Sequence, residues 1–203
     1  MTNFFVRTVA AAAVALSLGG CAALVVGGAV VTGLAVTDRR SAGVQLDDQT
    51  IELKALTRIR ETVGDRDHVN VTSYNRMVLI TGEVASEADR VALEQAIGRI
   101  ESVRSTVNEL AVMGSSSLAA RSNDTLLTSK VKASFVDAKD LQANAIKVVT
   151  ERSVVYLMGR VTEREANRAA DVARGVGGVA KVVKVFDILT EAELAALGPE
   201  TKK

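Results

Sequence analysis

Apolar residues recur every four positions at Ile51, Ala55 and Ile59, and again at Leu127, Val131 and Phe135. That spacing puts each trio on one face of a helix. Beyond each trio the period shortens to two. Val69 and Val71, then Val78, Ile80 and Val84, are read as alternating with polar residues, and Ile146 and Val148, then Val155, Leu157 and Val161, match them in position. Each set predicts two strands separated by a turn, "SYNR" or "TERS". Helical spacing returns at Leu93, Ala96, Ile97 and Ile100, and at Ala166, Ala169, Ala170 and Ala173. A last strand follows in "VRSTVNELAV" and "VAKVVKVFDIL". The predicted order is helix, strand, strand, helix, strand, twice over.

The two passages are copies of one unit. "VNVTSYNRMVLITGEV" from 69 to 84 returns as "IKVVTERSVVYLMGRV" from 146 to 161, an offset of 77 that also pairs Gly82 with Gly159. Upstream, "DQTIELKAL" at 48 to 56 parallels "NDTLLTSKV" at 123 to 131, so that Ala55 stands where Lys130 does. These patterns predict an α+β fold of two tandem αββαβ domains, each a three-stranded sheet with two helices packed on one face. The first domain spans 46–113 and the second 123–190, with a linker at 114–122 and a tail at 191–203. Gly82 and Gly159 sit inside a strand pattern, where glycine points to a bulge or a close backbone approach. Helix packing is the ordinary reason for such a residue, and a ligand gap the alternative. "VGG" at 176–178 lacks the lysine and spacing of a phosphate loop and reads as a tight helix-to-strand connection.

The beginning of the chain follows neither period. Residues 1–20 carry one charge, Arg7, and an apolar stretch that closes on small residues, the layout of a secretory signal. The stretch ends "LSLGGC", and Cys21 is the single cysteine of 203 residues. An uncleaved anchor competes with this reading, because no charge occurs from Thr8 to Val36 and about 20 apolar residues suffice to span a bilayer. A plain cleaved signal with a free thiol is the third possibility.

Composition narrows the chemistry. Beyond residue 5 the aromatics are Tyr74, Tyr156, Phe135 and Phe186 alone, so each core must be built from Val, Ile, Leu and Ala. A single cysteine excludes an intrachain disulfide, and the single histidine, His68, leaves no imidazole pair for zinc or a histidine-carboxylate iron site. His68 reads as a solvated loop residue before a strand. Carboxylates in "GDRDH", "SEADR" and "TEREAN" lie among basic residues at turns and helix starts, where capping and ion pairing are expected. No catalytic residues, metal site or cofactor are expected. The charge is divided between the units: from 46 to 113 there are 8 Lys or Arg against 12 Asp or Glu, and from 121 to 189 there are 12 against 8. A basic module near a bilayer attracts anionic headgroups, each nearby cation contributing about 1 kcal/mol before screening. Without an aromatic stacking platform, nucleic acid is not an expected partner.

On the first helix of the basic unit, Leu127, Val131 and Phe135 take the core and leave Leu126, Lys130 and Ala133 on a neighbouring stripe. An exposed leucine beside Lys130 and Lys132 suits shallow insertion into an interface. Alternatively, Leu126 belongs to a broad core face.

The strands "VLITGEV" and "VYLMGRV" and the ending "GGVAKVV" resemble BON domains of bacterial envelope proteins. "LGGC" resembles a lipoprotein lipobox, and nearly all that follows it is similar to dual-BON outer-membrane lipoproteins of the DolP family. The resemblance implies cleavage after residue 20 and lipid attachment to Cys21, with 21–45 a lipidated linker. Ala22, in place of aspartate, implies an outer-membrane anchor facing the periplasm. Removing Arg7 with the signal leaves 24 basic and 24 acidic side chains. It further implies that the second domain binds anionic phospholipid, such as phosphatidylglycerol or cardiolipin, through the helix bearing Leu126, Lys130, Lys132 and Ala133. Support of envelope integrity at division sites and of outer-membrane protein assembly is part of the same implication. Relatives can carry an aromatic at Leu126, and leucine anchors less well at an interface than tryptophan. The alternative is a periplasmic adaptor for an envelope-assembly protein, and opposite unit charges also allow the two units to pack on each other. In the tail, Thr190 and Glu193 form a capping-box pattern ahead of a short helix ending near Gly198 and Pro199.

Overall fold

The computed structural model describes residues 38–64 and 67–197. The first unit runs α1 (Ala42–Val63), β1 (His68–Tyr74), β2 (Met77–Val84), α2 (Glu87–Gly98) and β3 (Ser105–Val112). The second runs α3 (Leu118–Asp137), β4 (Ile146–Glu151), β5 (Val154–Thr162), α4 (Glu163–Arg174) and β6 (Lys181–Leu189), with a 3₁₀ turn at Ala143–Ala145 before β4. A short α5 (Glu191–Ala196) follows, and Thr190 and Glu193 make the expected reciprocal capping box; Gly198 and Pro199 lie outside the described residues. The order of elements in each unit is the one the periodicities predict.

Helices α1 and α3 start earlier than the domain boundaries at 46 and 123. Ser41 and Ser117, in extended conformation, accept hydrogen bonds from the amides of Val44 and Ala120, and a cap so placed lets the helix grow back into the linker sequence. In each sheet the middle strand pairs antiparallel with its predecessor and parallel with its successor, giving the orders β1-β2-β3 and β4-β5-β6.

Each unit buries an aliphatic core between its helices and one sheet face. In the first, Ile51, Ala55 and Ile59 meet Val78, Ile80, Val84, Leu93 and Ile97; in the second, Val131 and Phe135 meet Val155, Leu157, Val161 and the alanines 166, 169, 170 and 173 of α4. Burying each such Val, Ile or Leu contributes about 1.5–3 kcal/mol, whereas the alanines serve mainly to let α4 sit close on its sheet.

The middle strands are buried on both faces. Tyr74 and Leu79 of the first sheet pack against Tyr156, Met158 and Val185 of the second. The two sheets therefore meet back to back, with the helices outside, and the units do pack on each other. Two of the scarce aromatics are spent in this seam. The opposite charges of the units are used around it: Lys147 pairs with Glu52 at 3.0 Å, Arg104 with Asp187 at 3.1 Å, and Asn75 donates to Asp187 at 2.7 Å. Arg39, ahead of α1, reaches the second unit, where it binds the Arg160 carbonyl and grips Glu165 at 2.8 Å. That guanidinium holds the Glu165 carboxyl below its ordinary range.

Candidate functional site

The strand repeat keeps its offset of 77, but the helices do not follow the alignment suggested upstream. Buried Asp48, Ile51, Ala55 and Ile59 of α1 correspond to buried Asp124, Leu127, Val131 and Phe135 of α3, an offset of 76. The pairing of Ala55 with Lys130 is thus one residue out, and Lys54 is the true counterpart. Its charge is engaged by Glu101 at 3.4 Å.

Asp48 and Asp124 do the same work. Each hairpin turn has two non-glycine residues at positive φ, Asn75 (53°) and Arg76 (63°) in one, Arg152 (50°) and Ser153 (60°) in the other. Left-handed backbone costs roughly 1–2 kcal/mol per such residue, and the buried aspartate offsets it. Asp124 accepts from the amides of Arg152 and Ser153, both at 2.8 Å; Asp48 accepts from Asn75, Arg76 and the Ser73 hydroxyl, and also from Arg40. Arg40 in turn lies 4.1 Å above the Tyr74 ring. An aspartate one turn before a core residue was the available signal for this lock, and the periodicity of apolar positions does not include it.

With α3 fixed in this way, its outer face is defined. Leu127, Val131 and Phe135 point to the core, and Leu126 is 63% exposed, which decides against a broad core face. Leu118 and Val136 are exposed as well, at 80% and 71%, and neither was anticipated as part of the stripe. At 3.6 residues per turn, Leu118, Thr125, Ser129 and Val136 fall within about 40° of one another, with Ala133 and Leu126 beside them. The hydroxyls of Thr125 and Ser129 turn back onto the carbonyls of Arg121 and Thr125, each at 3.0 Å, so they present little unmet polarity. Lys130 and Lys132 stand at the two margins, exposed and with no carboxylate partner among the described residues. Past the last turn, a cleft of about 450 Å³ is lined by Arg40, Tyr74, Lys132, Val136 and Lys147, with Asp38 as its one acid. The surface can attract an anion and accept an apolar chain beside it.

The glycines serve the backbone. A Cβ on Gly82 would stand 1.9 Å from the His68 carbonyl oxygen, and Gly82 has φ 115°; one on Gly159 would stand 2.5 Å from the Ala145 oxygen. In both units the close neighbour is the chain entering the adjacent strand, neither a helix nor a ligand gap. His68 also departs from expectation: it opens β1, half-buried, with Nε2 3.7 Å from Glu151.

Among the described residues no helix is long and apolar enough to cross a membrane. Cys21, the signal segment and the stretch from Thr8 to Val36 lie outside them.

Residues 47–114 and 123–190 each match the BON domain. The chain is 40% identical over 176 residues to the outer membrane lipoprotein DolP of Haemophilus influenzae, covering 85% of this chain and 90% of that protein. It is 30% identical over 152 residues to a 21 kDa hemolysin of Actinobacillus pleuropneumoniae, covering 74% and 78%. To the osmotically-inducible protein Y of Escherichia coli it is 26% identical over 175 residues, covering 79% and 87%. Two tandem units of this fold, each matched along its length, and a relative of this identity across nearly its whole extent make the chain a member of the BON-domain family, of the dual-BON DolP type.

Proposed function

We propose that this protein is an outer-membrane lipoprotein, anchored through Cys21 and facing the periplasm, whose second BON domain binds anionic phospholipid without catalysis. One observation carries the reading: α3 exposes Leu118, Leu126 and Val136 on a single face whose margins hold two lysines, 130 and 132, with no carboxylate partner among the described residues. Shallow insertion of the leucines and valine would add to attraction by the lysines. The likeness to a named outer membrane lipoprotein supports the location. Contacts between the units use Lys147, on Glu52, and Arg160, on the Arg39 carbonyl, but leave the outer face of α3 exposed, so packing of the units does not hide it. Supporting envelope integrity, at division sites among others, is the role that fits such a protein. Phosphatidylglycerol and cardiolipin are the expected ligands.

The test is cosedimentation with vesicles of phosphatidylglycerol or of phosphatidylcholine. The protein should pellet with the former alone, and Leu126→Glu and Lys130→Glu should each weaken that binding at least about tenfold while leaving the unfolding midpoint in place. Unchanged binding by both variants removes α3 from the account. A mature mass beginning at Cys21 with acyl chains attached would establish the anchor; a chain retaining Met1 would refute it.

A second reading has an observation of its own. Leu46, Leu53 and Leu56 are exposed on α1, on the side of the molecule away from α3. An adaptor docking an envelope-assembly protein would use that face, and a discrete crosslinked partner surviving Leu126→Glu would favour it.

A further inference from the structure

We propose that His68, Glu83 and Glu151 form a binding site for one divalent transition-metal ion of the zinc class, placed across the seam so that it ties the two units together. One ligand atom from each of the three residues lies within 4.8 Å of the others. Donors about 2.0–2.2 Å from a zinc ion stand roughly 3–3.6 Å apart, so small side-chain rotations close the shell around an ion. His68 and Glu83 come from β1 and β2 of the first unit and Glu151 from β4 of the second.

Three features separate this group from an ordinary surface cluster. Glu83 is fully buried and Glu151 is 4% exposed. The Oε2 of Glu83 accepts from the Ser116 amide at 3.1 Å, but its Oε1, which faces the cluster, has no hydrogen-bond donor among the described residues. Among the described residues the nearest lysine or arginine to Glu83, Arg152, stays 3.9 Å away with its own Nε unsatisfied. Glu83 thus meets one distant guanidinium, and Glu151 meets the Asn70 amide and His68, an arrangement of two buried carboxylates that costs free energy until a further positive charge enters.

The histidine is prepared for coordination. The Asn70 amide nitrogen donates to Glu151 Oε2 at 3.0 Å, which fixes the orientation of that amide. The same nitrogen lies 3.1 Å from His68 Nε2. Where Nε2 accepts from that nitrogen its lone pair already points into the group, and an ion bound there takes the place of the Asn70 hydrogen. A cleft of about 180 Å³, lined by His68, Asn70, Asp124 and Glu151, offers an entry path and room for water in the remaining position. One imidazole with two carboxylates and no thiolate suits zinc, cobalt or manganese better than copper(I), and the imidazole disfavours magnesium. The group exists once, because the repeat places Ala145, Arg160 and Tyr74 at the corresponding positions.

The experiment uses the full chain in detergent, stripped with a chelator and titrated with Zn²⁺ in competition with a chromogenic chelator. Expected are one ion per chain, a rise in the unfolding midpoint with Zn²⁺, and a Co²⁺ derivative with visible d–d absorption. His68→Ala and Glu83→Gln should each lower Zn²⁺ affinity at least about tenfold and abolish the midpoint rise. Should Glu83→Gln fail to fold, His68→Ala decides, since its imidazole is partly exposed. Absence of stoichiometric binding, or equal binding by His68→Ala, would overturn the site.

Discussion

Replacing Asp124 with alanine tests how the second unit holds its exposed helix. The carboxylate accepts from the Arg152 and Ser153 amides, both at 2.8 Å, and a further hydrogen bond from this helix to the hairpin is that of the Thr128 hydroxyl to Thr150 at 2.7 Å. Hydrogen bonds to a charged partner contribute about 1.5–3 kcal/mol each. Both amides are half-buried, so water recovers part of the loss, and the turn sheds some left-handed strain by relaxing. The net cost of Asp124→Ala is therefore set at about 2–3 kcal/mol, and Asp124→Asn, which keeps the shape and one oxygen, should cost about half as much. In a domain of this size 1 kcal/mol moves the midpoint by about 2–4 °C, so the alanine variant should melt about 5–10 °C early. Urea unfolding followed by circular dichroism measures both variants. A loss under about 1 kcal/mol would refute the idea that the aspartate offsets a strained turn.

Three further outcomes follow from the same geometry. Asp48→Ala should cost more than Asp124→Ala, about 3–4 kcal/mol, because it also leaves the Ser73 hydroxyl without its acceptor and removes one of the two carboxylates on Arg40, Asp38 remaining; comparing the two in one urea series checks the ranking. Gly82→Ala should be worse than Gly159→Ala, as its Cβ meets the His68 oxygen at 1.9 Å on a positive-φ backbone, and soluble yield with thermal scans will show it. Glu165, with its carboxyl held low by Arg39, stabilises the fold above the unfolded carboxylate value of about 4.3 and loses that contribution as pH falls through its lower folded value. The gap between wild type and Arg39→Ala should accordingly be full at pH 7 and shrink steadily below about pH 4.

The element order was legible because each segment needs one buried face, and the period of that face differs between helix and strand. The seam between the sheets was not, since alternation was read as one buried and one wet side. The signal lay in Leu79, Tyr156 and Met158, apolar residues in the phase that should have been polar. The helix alignment slipped because the path from α3 to β4 holds one residue more than the path from α1 to β1: the helices stand 76 apart and the strands 77, whereas pairing Ala55 with Lys130 shortens the offset to 75. Leu126 was identified as a candidate but its exposure was open, because a face width cannot be read from three core residues. Leu118 was missed because the stripe was sought within the unit, whereas Ser117 starts the helix inside the linker, and Val136 because the stripe was not followed past the last core residue, Phe135. The cluster around His68 joins residues from both units and has no signature along either copy.

The claim that α3 meets the membrane has a direct test, since the chain contains no tryptophan. Leu126→Trp and Leu53→Trp each introduce a single fluorophore, one on α3 and one on the opposite helix α1. On phosphatidylglycerol vesicles the Trp emission at position 126 should shift to the blue and be quenched by brominated acyl chains, while that at position 53 stays as in buffer. No shift at 126, or equal shifts at both positions, would contradict the account.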